Sequence, residues 1–157
     1  MIGRIYTVEF EAVAVTAQVD FFELTPADDK PVDILGLFLG QSSDTGDAAE
    51  EILRYRVIRG HTTSGSGGAA PTPTPLRATS SAAGFTAETC NTTIASAGTT
   101  TNLHSGTFNV RAGEQLWLPD GCEWSAGQGN TTLVVRLMAA PADSLTMSGT
   151  LYVRELG

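Results

Sequence analysis

Charge is scarce in this chain: only 17% of its 157 residues are Asp, Glu, Lys or Arg, against roughly 25% in ordinary soluble domains. Lysine is almost absent, with Lys30 alone among nine basic residues, and the net charge is −8. Nucleic-acid backbones are held by clustered cations, so nucleic acid is excluded as a direct partner. Arg54, Arg56 and Arg59 lie close together, but Glu50 and Glu51 beside them point to a solvated or ion-paired face. No apolar run reaches the roughly 18 residues of a membrane-spanning helix, and no membrane partner is expected. The opening Met-Ile-Gly-Arg-Ile-Tyr-Thr lacks the basic and long apolar regions of an export signal. It reads as a strand, in a protein expected to be made in the cytoplasm and not exported by the general route.

Catalytic and metal-binding signals are equally thin. Nucleophilic catalysis needs Ser, Thr or Cys beside a base with an orienting acid. The chain has two histidines, His61 and His104, each standing alone. Gly-x-Ser-x-Gly is absent, and Gly65-Ser66-Gly67 lies in a linker-like stretch. A cupin-type metal site would require a His-x-His pair, which is missing. Asp28-Asp29 and Asp44 with Asp47 offer oxygens, but no calcium loop closed by Glu follows. Asp in such places more commonly makes turns and caps. No enzyme, metal or cofactor is expected. Two cysteines, Cys90 and Cys122, are too few for a disulfide scaffold and lack ligand spacing. They read as free thiols, with a bridge between them or between subunits as the alternative.

Alternating strands are what the chain does have. In Leu53-Arg54-Tyr55-Arg56-Val57 the apolar residues face one way and the arginines the other. Thr131–Ala139 and Leu145–Arg154 repeat the pattern, as does the N-terminal run Ile5–Thr16. Such period-two alternation marks antiparallel strands covering a core on one side. Val19–Leu24, Thr86–Thr93, Thr107–Val110 and Gln115–Leu118 add shorter strands. Val32–Leu39 is apolar on both faces apart from Asp33, which predicts a central strand covered twice. A single helical turn at Asp47–Ile52 is the best helix signal. Nine or ten strands separated by turn signals predict one all-β domain over residues 1–157, an antiparallel β-sandwich of jelly-roll type. An immunoglobulin-like sandwich is the alternative, without the Cys-Trp-Cys spacing of that fold.

One long excursion interrupts this pattern. Residues 60–77 form a loop with a Gly/Ser-rich half ending near Gly68 and a Pro/Thr half carrying Pro71, Pro73 and Pro75. Loops beyond about 12–15 residues are uncommon in compact domains and usually functional or disordered. The prolines favour extended backbone and predict an arm that touches a neighbour. A disordered connector is the alternative. Trp117 alternates away from Leu116 and Leu118, so it should face away from the core. Trp124 falls in the Gly/Ser loop after Cys122. With Tyr55 or Tyr152 these rings offer a sugar-stacking platform, or Trp117 anchors a subunit interface.

Several segments carry a family likeness. They are Leu53–His61 running into Thr-Ser-Gly-Ser-Gly-Gly, Gly84–Glu88, Asn91–Thr93, Phe108–Gly113, Thr131–Asp143 and Gly149–Val153. Together these resemble small structural proteins of tailed bacteriophages and prophages. The resemblance implies a virion protein, a jelly-roll decoration (cement) protein on the capsid surface that binds the major capsid protein, commonly as a homotrimer. It implies no catalytic residues. On this reading Met1, Ile2 and Arg4 at the N-terminus, the three loop prolines, Trp117 and Trp124 are the candidate contacts with capsid or neighbouring subunits. The competing reading is a trimeric carbohydrate- or receptor-binding module of a phage tail or baseplate.

Overall fold

The computed structural model describes residues 3–43, 50–127 and 131–157, and no helix occurs among them. Its strands are β1 (Arg4–Val15), β2 (Asp20–Thr25), β3 (Val32–Gln41), β4 (Ile52–His61), β5 (Thr74–Pro75), β6 (Thr86–Asn91), β7 (Thr101–Asn109), β8 (Glu114–Trp117), β9 (Trp124–Ala126), β10 (Thr132–Leu137) and β11 (Leu145–Glu155). They build a β-sandwich of two antiparallel sheets. The front sheet has the order β5-β1-β11-β3-β8, with β9 also on β3, and the back sheet β6-β2-β10-β4-β7. The short β5 and β9 are the strands that the alternation pattern does not reveal. Asp44 and the Asp47–Ala49 part of the expected helical turn lie outside the described residues, and Ile52 already belongs to β4.

The chain runs out along β1 to β4 and returns beside itself. β7 pairs with β4, β8 with β3, β10 with β2, and β11 with β1. The inward residues of both sheets make one core, including Tyr6, Val8, Phe22, Leu37, Tyr55, Leu133, Val135 and Leu151. Each such side chain contributes about 1.5–3 kcal/mol on leaving water. β11 shows the alternation in its purest form, every odd residue from Leu145 to Glu155 being buried. β1 carries a bulge between Phe10 and Val13, where Ala12 takes a φ of 52°. The Ala12 N–H donates to Ser148 Oγ at 3.0 Å instead of to the ladder.

The doubly covered strands are not the one the sequence suggests. β3 buries Val32, Ile34, Leu37 and Leu39, but Phe38 on its other face is only half-buried. Phe38 packs on Trp117 and Tyr152 of the neighbouring strands, with no further layer over it among the described residues. The strands buried throughout are β10 and nearly all of β2, in the back sheet. Their cover is a ribbon of which the Gly/Ser-rich stretch forms one half.

Residues 63–69 run antiparallel to residues 89–96, through bridges Thr63–Ser96, Ser66–Thr93 and Ala69–Thr89. This ribbon folds over the outer face of the back sheet. Ala95 packs there on Ile58 and Val134, a small apolar cluster outside the main core. The ribbon is tied down by buried charges. Asp20 pairs with Arg136 at 2.6 Å, and the pair also holds both backbone groups of Ala95. Its N–H donates to Asp20 Oδ2 and its carbonyl accepts from Arg136 Nη2, each at 2.8 Å. Glu23, fully buried, accepts from the Ser64 hydroxyl, the Gly65 N–H and the Asn91 amide.

The expectation of a flexible, outreaching loop is therefore corrected. Its glycines serve close approach: a Cβ at Gly65 would stand 2.5 Å from the Thr93 carbonyl, and one at Gly68 would collide with that of Thr89. The proline half is also docked. Pro73 is buried, and Thr74–Pro75 form β5 against Thr7 and Tyr6 at the edge of β1.

Candidate functional site

The back sheet is covered, whereas no segment among the described residues covers the outer face of the front sheet. Trp117 on β8 lies directly across from Gly36 on β3. A Cβ at Gly36 would come within 2.6 Å of the indole, so the glycine leaves the space in which that ring lies. Phe38 and Tyr152 complete a three-ring cluster, each ring within reach of the other two. Centroid separations are 4.7 Å for Trp117–Tyr152, 5.1 Å for Phe38–Trp117 and 5.7 Å for Phe38–Tyr152. These are the separations at which aromatic pairs attract beyond simple burial. Trp117 nevertheless remains 58% exposed. Beside the rings a shallow depression of about 290 Å³ is lined by Gln115, Ser148, Thr150 and Glu114 among others.

The charged flank of this face is internally paired. Arg154 reaches Asp33 at 2.9 Å and Glu123 at 2.8 Å. Hydrogen bonding to Asp33 pushes the guanidinium pKa up. Hydrogen bonding to its own backbone N–H, and then to Arg154, holds the Glu123 carboxyl below its ordinary value. One arginine between two carboxylates leaves a single net negative charge on this flank.

Trp124 does not join Trp117. It lies in β9, opposite Ile34, and is only 8% exposed. Its ring stacks on His104 of the back sheet at 4.8 Å. Tyr55 hydroxyl donates to Glu114 Oε2 at 3.0 Å and stands 3.3 Å from His104 Nε2. A carboxylate only accepts, so the single phenol proton goes to Glu114 and His104 Nε2–H donates to the phenol oxygen. Burial, then Glu114, pushes the Tyr55 pKa up. This cluster links the two sheets at one edge and places no hydroxyl or thiol nucleophile in an activated state.

The remaining sequence candidates are dispersed. His61 is buried, its Nδ1 lying 3.3 Å from the Ala97 carbonyl, where it supports the ribbon. Cys90 is buried and Cys122 exposed, and both are free, so the intrachain disulfide alternative is not formed. Burial pushes the Cys90 thiol up to about 12. Among the described residues no three His, Cys, Asp or Glu side chains converge as a metal site. Arg4 opens β1 opposite Glu155 and is half-buried. Pro71 and Pro75 are half-buried and Pro73 buried, and Met1 and Ile2 lie outside the described residues. Phe38 is the member of the exposed cluster that sequence reasoning misses. The signal was in place, since Phe38 is even-numbered in a strand whose inward residues toward its end are Leu37 and Leu39. No protein-family model, curated protein or solved structure matches the chain.

Proposed function

We propose that this chain is a non-enzymatic structural protein of a tailed-bacteriophage virion, a capsid decoration (cement) protein. It binds the major capsid protein lattice, stabilises the head and acts as a homotrimer without a cofactor. The observation that carries the reading is the exposed Trp117–Phe38–Tyr152 cluster on the outer face of the front sheet. Trp and Tyr are the side chains most often found as energetic anchors of protein interfaces, and an uncovered aromatic face costs solubility unless a partner covers it. The nested strand pairing, β1-β11-β3-β8 stacked on β2-β10-β4-β7, supports the jelly-roll expectation, a winding that serves viral capsid and lectin domains. The likeness to phage structural proteins supplies the choice of capsid. The mechanism is adhesive: the front face gains burial on docking, while the covered back sheet keeps each subunit rigid.

Binding to undecorated capsids tests it. Wild-type protein is expected to saturate the lattice in hundreds of copies, and Trp117→Ala to lower occupancy strongly at equal concentration. A few copies at neck or baseplate would overturn the capsid assignment. One observation favours a second reading, a glycan-binding tail module. Trp117 is largely exposed and Tyr152 partly so, beside the amide of Gln115 and the hydroxyls of Ser148 and Thr150, the chemistry of a pyranose platform. Tryptophan fluorescence that shifts with host glycans, and not with capsids, would select it.

A further inference from the structure

Two unmatched features remain on opposite sides of the sandwich, and they complement each other. On the back sheet β4 presents Ile52, Arg54 and Arg56 on one face, all exposed, with Ile52 67% accessible. Arg54 and Arg56 make no ion pair among the described residues, so of the solvated and ion-paired alternatives for this face the structure has the solvated one. A shallow depression is lined there by the two arginines and the cross-strand Ser105 and Thr107, while the bare side of Gly106 faces inward to the Tyr55 ring. In a chain of net charge −8 this is a local concentration of unneutralised positive charge beside an exposed aliphatic side chain.

On the front sheet β5 covers β1 only at Tyr6 and Thr7, so among the described residues the outer edge of β1 beyond them has no strand neighbour. There a pocket of about 480 Å³ opens between β1 and residues 67–71. Phe10, Val13, Val19, Pro71 and Cys90 supply its apolar lining, and Glu9 and Glu11 stand at its rim. Both carboxylates are exposed, and neither has an ion pair among the described residues. The Ala12 bulge beside them disfavours simple strand addition, as bulged edges generally do. A protruding side chain suits the site better than an added strand.

We propose that the occupant of this pocket is a second copy of the chain. Ile52 of one copy enters the pocket of the next, and Arg54 and Arg56 meet Glu9 and Glu11. Both charged pairs are two residues apart on a strand, a spacing of about 7 Å, so the guanidiniums and carboxylates can pair in register. Planar guanidinium and carboxylate groups match bidentately. The contact joins different patches on the two copies, so it is heterologous and closes into a ring when the rotation permits. This inference rests on the self-association part of the proposed function and names its surface.

Sedimentation or light scattering over a concentration series tests it, with thermal melting to confirm folding of each variant. Arg54→Glu with Arg56→Glu, and separately Glu9→Arg with Glu11→Arg, should each weaken association at least about tenfold, since like charges then face one another. Ile52→Asp should do the same. All four charge reversals together should restore association toward wild type. Charge-reversed variants that associate as wild type, or a fourfold variant as weak as the twofold ones, would overturn the contact and leave self-association standing. A wild-type protein monomeric at every concentration would overturn both. Association intact but capsid binding lost in Arg54→Glu with Arg56→Glu would show that the arginine face meets the shell, and would also overturn the contact.

Discussion

The two sheets of this sandwich treat their outer faces in opposite ways. The back sheet is roofed by its own chain: the 63–69 and 89–96 ribbon lies on Ile58 and Val134, pinned by Asp20–Arg136 and Glu23. Among the described residues the front sheet has no such roof, and three aromatic rings gather there with Trp117 mostly in water. Apolar residues on an outer sheet face need a cover. One face obtains it within the chain, and the other presents its rings for a partner. Glycine, serine and threonine make the roof because close backbone approach needs small side chains, while aromatics make the docking face because they bury much area with little entropy loss.

The sharpest way to break this comparison is to remove the roof. Deleting Ser64–Thr74 should abolish cooperative unfolding, read by urea titration, because it removes the Ser64 and Gly65 partners of buried Glu23 and the half of the ribbon on which residues 89–96 are held. A stable, cooperatively folding deletion protein would return the segment to the role of a dispensable arm. Asp20→Ala should follow, costing about 3–5 kcal/mol, since it leaves a buried guanidinium unpaired. Gly68→Ala tests the close approach alone and should cost about 1–3 kcal/mol through collision with the Thr89 carbonyl. On the bare face the order reverses. Trp117→Ala should shift stability by no more than about 1 kcal/mol, being largely exposed, while strongly reducing partner binding.

The smallest effect concerns Cys90, under the roof's edge. Its thiol rises from 9.0 to about 12 on burial, so the folded state keeps a proton that the unfolded chain loses. Stability is therefore full below pH 9 and falls as pH rises toward 12. Tyr55, also raised, adds the same sign above pH 10. Cys90→Ala should flatten the slope first between pH 9 and 10. At neutral pH one thiol, Cys122, should react with iodoacetamide in the native protein and two in denaturant.

Much of this was legible in the sequence, and the failures share a cause. The alternation in β4, β10 and β11 identifies strands and faces, because side chains on a strand repeat every two residues. It also places Trp117 outside. It misreads β10, where Arg136 looks like a solvent-facing residue and is buried. Its partner Asp20 lies 116 positions away, and no local pattern carries that pairing. β3 fails in the converse way. Phe38 looks like core because apolarity does not say whether the cover is the protein's own. The Gly/Ser half of residues 60–77 reads as a linker because Gly and Ser favour both flexible linkers and tight backbone packing, and only the neighbouring chain distinguishes the two. β5, two residues long, and β9, three residues long, are too short for any periodicity.

The central claim is that the front face is left open for a partner while the back face is sealed by the chain itself. Because Trp117 and Trp124 are the only tryptophans, a Trp124→Phe variant reports the front face alone by acrylamide quenching of its fluorescence. The account predicts efficient quenching of Trp117 in the isolated protein and strong protection once it is bound to undecorated capsids. Equal quenching in the free and capsid-bound states would contradict it.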